Sequence, residues 1–491
     1  MLSILGYTVF VLLAGLGGLF IFVYVLYIFD TKSRLKLEHP WSEYPVKLPQ
    51  NKEKISLAFY IWGSRGDLQP LAVLACYFQE HGHSVLINVR ERYHQTMLNL
   101  GLKETAIFPQ KEDYSEEIVP PLIQGKTGPE PLFHLFNHIA KNTEDYFYQL
   151  CEMVEKLDAD VIVVNEFATS IGYLVAEKYQ LPLFIYRYTP IFSPTTEWEC
   201  PFFSDYKNKG SFFNWFSYLP PILIKWFVEK RIIRKLRRDN NLPSRSHLQQ
   251  LLGSDAWQFP AIWAFSNLMM RYPQKDIPAW YFNTGPILPP AQEQTEKVPE
   301  SLIKFLADTP ENEPIIYIGF GSFSITNFLQ LELAKKSANT ILEALAELGI
   351  KAVILKRTFD FMIEDPIFNN PQWYVGESFP HSWLFPKVSV IVHQAGAGHC
   401  AASARSGTPT IVMPAFEEQM YNARTLLSLK IAVQVFLAEV TKESFKTAFH
   451  QALTLKENAQ MIGDKFEQQV QQAGNIAVSE MLKWLDYNNN H

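Results

Sequence analysis

Two α/β halves, each a doubly wound parallel sheet and joined by a proline-rich linker, are the fold this sequence predicts. Three observations carry that expectation. The chain has 491 residues, too many for one ordinary core. Each half opens on an apolar run that ends in a glycine turn and enters a helix-period segment, the pattern of a strand–turn–helix unit. Between the halves Gly285, Pro286, Pro289, Pro290, Pro299, Pro310 and Pro314 punctuate a polar segment.

Hydrophobic residues make up 47% and charged residues 19%, so most of the chain is expected to fold. The formal net charge of −6 gives a nucleic-acid partner no global electrostatic support. Cys76, Cys151, Cys200 and Cys400 are scattered without a CxxC pair, which argues against a zinc module or a disulfide framework.

From Leu2 to Phe29 no residue is charged. As a helix this run would measure roughly 40 Å, ample for a bilayer. No Lys or Arg precedes it, whereas Lys32, Arg34 and Lys36 follow. That flank predicts a retained single-pass membrane anchor with the following residues on the cytoplasmic side. A cleaved signal peptide or an interfacial helix is the alternative.

After a polar spacer, residues 55–61 read as a buried strand ending in Gly63-Ser64-Arg65-Gly66-Asp67. A helix over 70–80 and a strand over 84–89 follow. The unit repeats as a strand over 161–164, a helix near 170–178 and a strand over 181–186. Asp158-Ala-Asp160 precedes its strand, so it reads as a helix–strand turn, not a metal-holding pair at a strand end. Beyond the linker the pattern restarts with a strand over 315–320, a turn at Gly321-Ser322 and a helix over 331–348. Further strands are expected over 352–355, 373–375, 388–392 and 410–413, with a closing helix near 465–484.

The strand over 388–392 runs into His393, then Ala395-Gly396-Ala397-Gly398, then a small-residue helix from His399 to Ser406. Small residues let an anion approach the backbone, and the unpaired N–H groups at a helix start favour negative charge. His393 stands where the strand ends and can donate toward the same group. Two other readings stay open: glycines that only allow tight packing, and a dinucleotide fingerprint at Gly396-x-Gly398-x-x-Ala401, which normally opens the first unit of its half. After the next strand, Glu417-Glu418-Gln419 offers acceptor oxygens and an amide donor, a match for a polyol with several hydroxyls.

These stretches closely resemble the nucleotide-sugar-dependent glycosyltransferases of two-Rossmann (GT-B) architecture, in the branch of sterol glucosyltransferases and glycopeptide-antibiotic glucosyltransferases. The resemblance runs from residue 55 to 485. It rests on Gly63-Ser-Arg-Gly-Asp-Leu-Gln-Pro70, Ile318-Gly-Phe-Gly-Ser322, Phe379-Pro-His-Ser-Trp-Leu-Phe-Pro386 and the run from His393 to Gln419. It implies an N-terminal Rossmann-like acceptor half over 54–282, a linker over 283–312, a nucleotide-sugar half over 313–462 and a closing helix over 463–486, with the anchor over 2–29. It implies Asp67 as general base, with Ser64 and Arg65 lining the site. Gly321, Ser322, His393, Gly396 and Gly398 would hold the diphosphate, Phe379 and His381 would border the nucleobase, and Glu418 with Gln419 would grip the sugar. Three positions depart from the family pattern: Ala395 for a glycine, His399 for a phosphate-contacting threonine, where the histidine would still bind the donor phosphate with a different geometry, and Glu418 for an aspartate.

An acceptor hydroxyl needs a carboxylate within hydrogen-bond reach to take its proton, and Asp67 follows the first strand where it would face the cleft; an ordinary ion pair with the nearby Arg65 is the alternative. Fixed N–H dipoles would stabilise the leaving diphosphate, so no metal or cofactor is expected beyond the UDP-sugar co-substrate. The implied reaction is inverting. Over 197–240 the chain is aromatic and then basic, read either as a greasy gate near anionic headgroups or as a core helix with a solvated basic face. With the anchor, this points to a lipid acceptor such as a sterol. A soluble or phenolic acceptor, or a binding protein without turnover, is the alternative.

Overall fold

The computed structural model describes residues 41, 46–49, 52–63, 65–107, 130–188, 193–200, 209–247, 259–269, 276–289, 298–310, 312–415 and 417–486. The apolar run 2–29 lies outside the described residues. Among the described residues no helix is long and apolar enough to cross a membrane.

The first half holds a seven-stranded parallel sheet in the order β3-β2-β1-β4-β5-β6-β7. Its strands are β1 (Ser56–Tyr60), β2 (Ser84–Val89), β3 (Thr105–Ile107), β4 (Val161–Asn165), β5 (Leu183–Arg187), β6 (Ala261–Trp263) and β7 (Tyr281–Asn283). The second half holds a six-stranded parallel sheet in the order β10-β9-β8-β11-β12-β13. These strands are β8 (Ile315–Ile318), β9 (Lys351–Leu355), β10 (Trp373–Gly376), β11 (Val390–His393), β12 (Thr410–Val412) and β13 (Ala432–Gln434). Runs such as Val161-Ile-Val-Val164 and Ile315-Ile-Tyr-Ile318 are buried throughout, because helices cover both faces of such sheets.

In both sheets the chain winds outward from a central pair, β1 and β4 in one, β8 and β11 in the other. At that pair the winding direction reverses, and the two loops leaving the carboxyl ends diverge to open a crevice. Asp67 follows β1 and Asn165 ends β4, while Gly319 follows β8 and His393 ends β11. The motifs at 63–70, 318–322 and 393–398 therefore emerge at the switch points, whereas the one at 379–386 follows β10 at the sheet edge.

Seven helices matter for the site: α1 (Arg65–Glu80), α2 (Glu130–Leu157), α3 (Thr169–Tyr179), α4 (Leu219–Asp239), α5 (Ala397–Ser406), α6 (Glu417–Ser428) and α7 (Lys456–Asp486). Three differ from expectation. Helix α1 starts at Arg65, five residues before Pro70, so Asp67 belongs to its first turn rather than to a loop. Pro70 is tolerated inside it at the loss of one backbone hydrogen bond. Glu417, Glu418 and Gln419 likewise open α6 instead of lying on a loop. The last helix starts at Lys456 and is 31 residues long.

That last helix couples the halves. Its first part buries Ala459, Ile462, Phe466 and Val470 against the second half. Its last part sends Ala473, Ala477, Met481 and Trp484 into the core of the first, where Trp484 meets Trp280 edge-on at 5.9 Å. Crossing α5 so closely requires Gly463, since a Cβ there would stand 2.7 Å from the Gly407 Cα. Arg405 fixes the same corner, bonding Glu467 on α7 and donating to the Pro289 carbonyl of the linker at 2.6 Å. Tyr421 of α6 is buried in the core cluster of the first half, so this helix also contacts that half.

Candidate active site

The site in the first half is built by asparagines at strand ends. Asn88, the penultimate residue of β2, accepts from the Ile61 N–H at 2.6 Å and donates to the Ile61 carbonyl at 2.9 Å. Asn165, the last residue of β4, does the same for Trp62, at 3.2 and 2.8 Å. A side-chain amide pairs with a backbone peptide as another peptide would, so the two asparagines extend the sheet by two residues and fix where β1 ends. The turn begins there at Gly63, whose φ of +141° is a conformation L side chains rarely adopt.

The reason for glycine is steric as well. A Cβ on Gly63 would stand 2.3 Å from Asp67 Oδ2, so the carboxylate folds back over the turn that precedes it. Asp67 occupies the third position of α1, where the helix dipole and unpaired N–H groups favour negative charge. Tyr188, just past β5, donates its hydroxyl to Asp67 Oδ1, and Asn165 Nδ2 donates to that hydroxyl at 3.3 Å. Burial, with the Asp67 and Glu166 carboxylates, holds the Tyr188 hydroxyl well above its ordinary value, so it stays protonated and donating. Arg90 interacts electrostatically with Asp67 from the end of β2. The Trp62, Phe167 and Tyr188 rings line up beside the carboxylate, with centroids 5.8 and 6.3 Å apart along the row. Ser64 and the side chain of Arg65 lie outside the described residues.

Asp160 serves the strand and not the chemistry. It accepts from the Ser56 N–H at 3.0 Å and pairs with Lys52, holding the start of β1. Cys76, Cys151, Cys200 and Cys400 are free thiols.

In the second half two glycine turns meet. Gly319 N–H donates to the Val392 carbonyl at 3.0 Å, pinning the loop after β8 to β11. Gly321 (φ +65°) lies against His399, because a Cβ there would stand 2.6 Å from the ring Cε1. His399 thus takes the volume between the turns, and among the described residues its buried Nε2 has no hydrogen-bond partner. The His381 ring stacks on Phe385 at 4.5 Å and stands 4.8 Å from His399. Phe379 is buried edge-on to Tyr317. Gly396 caps α5 and Gly398 sits in its first turn, with nothing within 4 Å of the place its Cβ would take. Ser322 is exposed beside Gly321.

His393 is used differently from the expectation. It is fully buried, its Nδ1 accepts from the Ala395 N–H at 2.9 Å, and its Nε2 lies 3.3 Å from Ser403 Oγ. Those partners assign the neutral ring with the proton on Nε2. Both nitrogens are committed, so His393 shapes the turn and offers the site no free donor. The turn it shapes places Ala395 at φ +63°, in the left-handed region where a methyl group costs about 1 kcal/mol. Gln419 is also tied back and buried: its Oε1 accepts from the Ala415 N–H at 2.9 Å, so that oxygen is committed to the turn. The side chain of Glu418 lies outside the described residues.

Burial pushes the His399 ring down to about 4 and lowers His393 well below its ordinary value, with His399 and His381 adding to the effect on His393. Above about pH 7.5 both rings are neutral folded or unfolded, and pH has no leverage through them. As pH falls from 6.5 toward about 4, the unfolded chain takes up protons that the folded His399 refuses, and stability declines. The slope is at most about 1.4 kcal/mol per pH unit per histidine. Thermal unfolding measured across that window should show the decline, and His399→Thr should flatten part of it.

Residues 223–470, half of the chain, match the family model described as UDP-glucoronosyl and UDP-glucosyl transferase. The sterol 3-beta-glucosyltransferase of Debaryomyces hansenii is 24% identical over 439 residues, covering 87% of this chain and 26% of that protein. The one from Pichia angusta is 24% identical over 454 residues, covering 90% and 35%. The chain therefore spans about a quarter to a third of the length of these relatives. Among solved structures, the glycotransferase of kitacinnamycin superposes with a TM-score of 0.64 at 16% identity, over 88% of this chain and all of that one. The spinosyn rhamnosyltransferase SpnG complexed with thymidine diphosphate gives 0.56 at 14% identity, over 87% and 99%. These structures show a shared GT-B-like fold with two parallel sheets. Taken with the match over half its length, the chain belongs to the UDP-glucoronosyl and UDP-glucosyl transferase family.

Proposed function

We propose that the chain is an inverting glycosyltransferase that moves a hexose, glucose in the first instance, from a UDP-sugar to the hydroxyl of a hydrophobic lipid such as a sterol. The observation that carries this reading is the pairing of two switch-point sites. One fixes a carboxylate at the end of β1, and the other sets two glycine turns and a helix start at the ends of β8 and β11. Asp67 takes the proton of the acceptor hydroxyl as its oxygen bonds to the anomeric carbon. The bond from that carbon to the phosphate oxygen breaks on the opposite face, so an α-linked donor gives a β-linked product. The leaving diphosphate gains negative charge beside the N–H groups that open α5, which act without reorganising. The reading assigns no metal or cofactor. The sterol as acceptor is supported by the sterol 3-beta-glucosyltransferases among the relatives and by the aromatic row beside Asp67.

UDP release from UDP-glucose in the presence of a dispersed sterol, with mass spectrometry of the lipid product, tests the reading. Donor hydrolysis without any glycosylated lipid would remove the acceptor assignment. Donor placement is checked separately at Gly398, where a side chain meets open space in the fold. Gly398→Val should leave the thermal midpoint nearly unchanged and weaken UDP binding about fivefold or more, roughly 1 kcal/mol. Calorimetric titration with UDP reads it.

A further inference from the structure

Helix α4 is oriented by charges buried beneath it. Glu229 is almost fully buried and accepts from Lys225, from Ser170 of α3 at 2.7 Å, and lies 3.1 Å from His247 Nε2. Arg237 pairs with Glu177 of α3 at 2.8 Å. A single rotation of the helix satisfies both buried carboxylates, and it decides what faces outward. The exposed positions are Pro220, Leu223, Phe227, Arg231, Arg234 and Arg238, with Asp239 at the end. Their spacing of three and four places them in one stripe along the helix. The first three are apolar and the last three are arginines.

The apolar part of the stripe is large. Phe227 is 57% exposed, Leu223 38% exposed, and Phe213 on the preceding short helix 62% exposed. Lys230 covers the Trp226 and Phe227 rings with its ammonium at 4.4 and 4.5 Å. Among the described residues no carboxylate pairs with Arg231 or Arg234, while Arg238 is bonded to Asp239. The amino end of the stripe belongs to the edge of the sheet that carries Asp67. Asn214 donates to the Thr196 carbonyl at 2.9 Å, and the Cys200 N–H bonds Ser217 Oγ at 2.6 Å. The helix is also fixed at the carboxyl ends of the strands by Glu229, which meets Ser170 in the first turn of α3, just past β4.

Exposed aromatic rings followed by unpaired arginines along one helix fit a surface that is apolar beneath and negatively charged at its boundary. We infer that the outer stripe of α4, with Phe213, lies on the surface of a bilayer containing anionic lipid and sets the Asp67 edge beside the source of acceptor. The inference rests on the proposed function only for the acceptor's origin, since docking itself involves no turnover. The rings enter the boundary between headgroups and chains, and Arg231 and Arg234 meet lipid phosphates. Their spacing along the stripe puts the two kinds of contact in one plane.

The test uses the full chain with Phe213→Cys carrying an environment-sensitive fluorophore, and the similarly treated wild type as labelling control. Vesicles of phosphatidylcholine alone are compared with vesicles that also contain phosphatidylglycerol. A blue shift with anionic vesicles is expected, reduced by raised salt, and the vesicle concentration for half-maximal shift should rise about tenfold or more in R231E/R234E. Because the dye reports the stripe and not the whole chain, capture through residues 2–29 does not mimic this result. No shift, or a shift indifferent to lipid charge and to the double substitution, overturns the proposal. Quenching of the dye by a protein partner in place of vesicles would also overturn it. UDP release from UDP-glucose, measured in parallel with detergent-dispersed acceptor, should be retained in R231E/R234E. Loss of wild-type turnover there would count against the proposed function and leave the docking result standing.

Discussion

Asp67→Asn is expected to lower kcat by about 10²–10⁴-fold, the range a positioned general base supplies. The amide keeps the size of the carboxylate, still accepts the Tyr188 hydroxyl bond through its oxygen, and adds no atom over Gly63. What it loses is the capacity to take a proton. UDP affinity, read by calorimetry, should stay within about threefold, because the proposed donor site lies in the other half of the chain. A rate within tenfold of wild type would remove Asp67 from the base role. Tyr188→Phe gives a finer reading. Its hydroxyl donates to the Asp67 carboxylate, and a hydrogen bond to the charged form favours that form. Without it the carboxylate holds a proton more readily, so the acid limb of the kcat/KM profile should move to higher pH. A tyrosine that served packing alone would leave that limb in place.

The parts of the fold legible in the sequence are those whose residues have no alternative. β1, β4 and β8 are apolar runs bounded by turn residues, a pattern that needs no longer-range information to read. β3, β6, β7 and β13 are not legible, because three residues are too few to show a period, whereas β12, equally short, is marked by the run 410–413 that Pro414 ends. The start of α1 is masked by Pro70, which suggests a helix beginning rather than an interior position. Asp67 is visible through its motif, but its supports are not. Asn88, Asn165 and Tyr188 act from strands distant in the chain, and the one available signal is a polar residue at the end of an otherwise apolar run. His393 shows the opposite limit. Its position at a strand end is legible, whereas the commitment of both its nitrogens to Ala395 and Ser403 depends on how the turn packs.

Lys225→Met should destabilise the chain by about 3–5 kcal/mol, the cost of leaving a buried carboxylate without its partner. Lys225 and Glu229 are both almost fully buried, and the pair is one turn apart on α4. Burial pushes the Glu229 carboxyl up, but Lys225 and His247 outweigh it and hold the carboxyl below its ordinary range. With Lys225 gone, Ser170 and His247 remain as hydrogen-bonding partners, and the ammonium that faced the carboxylate is lost. Urea unfolding of the single variant against Lys225→Met/Glu229→Leu separates two causes. If the unpaired charge dominates, the double variant should recover more than half of the loss, since an apolar pair of similar volume avoids desolvating any ion. If packing dominates, the second substitution should add to the first. The outcome also bears on the outer stripe, because the same carboxylate that is left unpaired is the one that sets the rotation of α4.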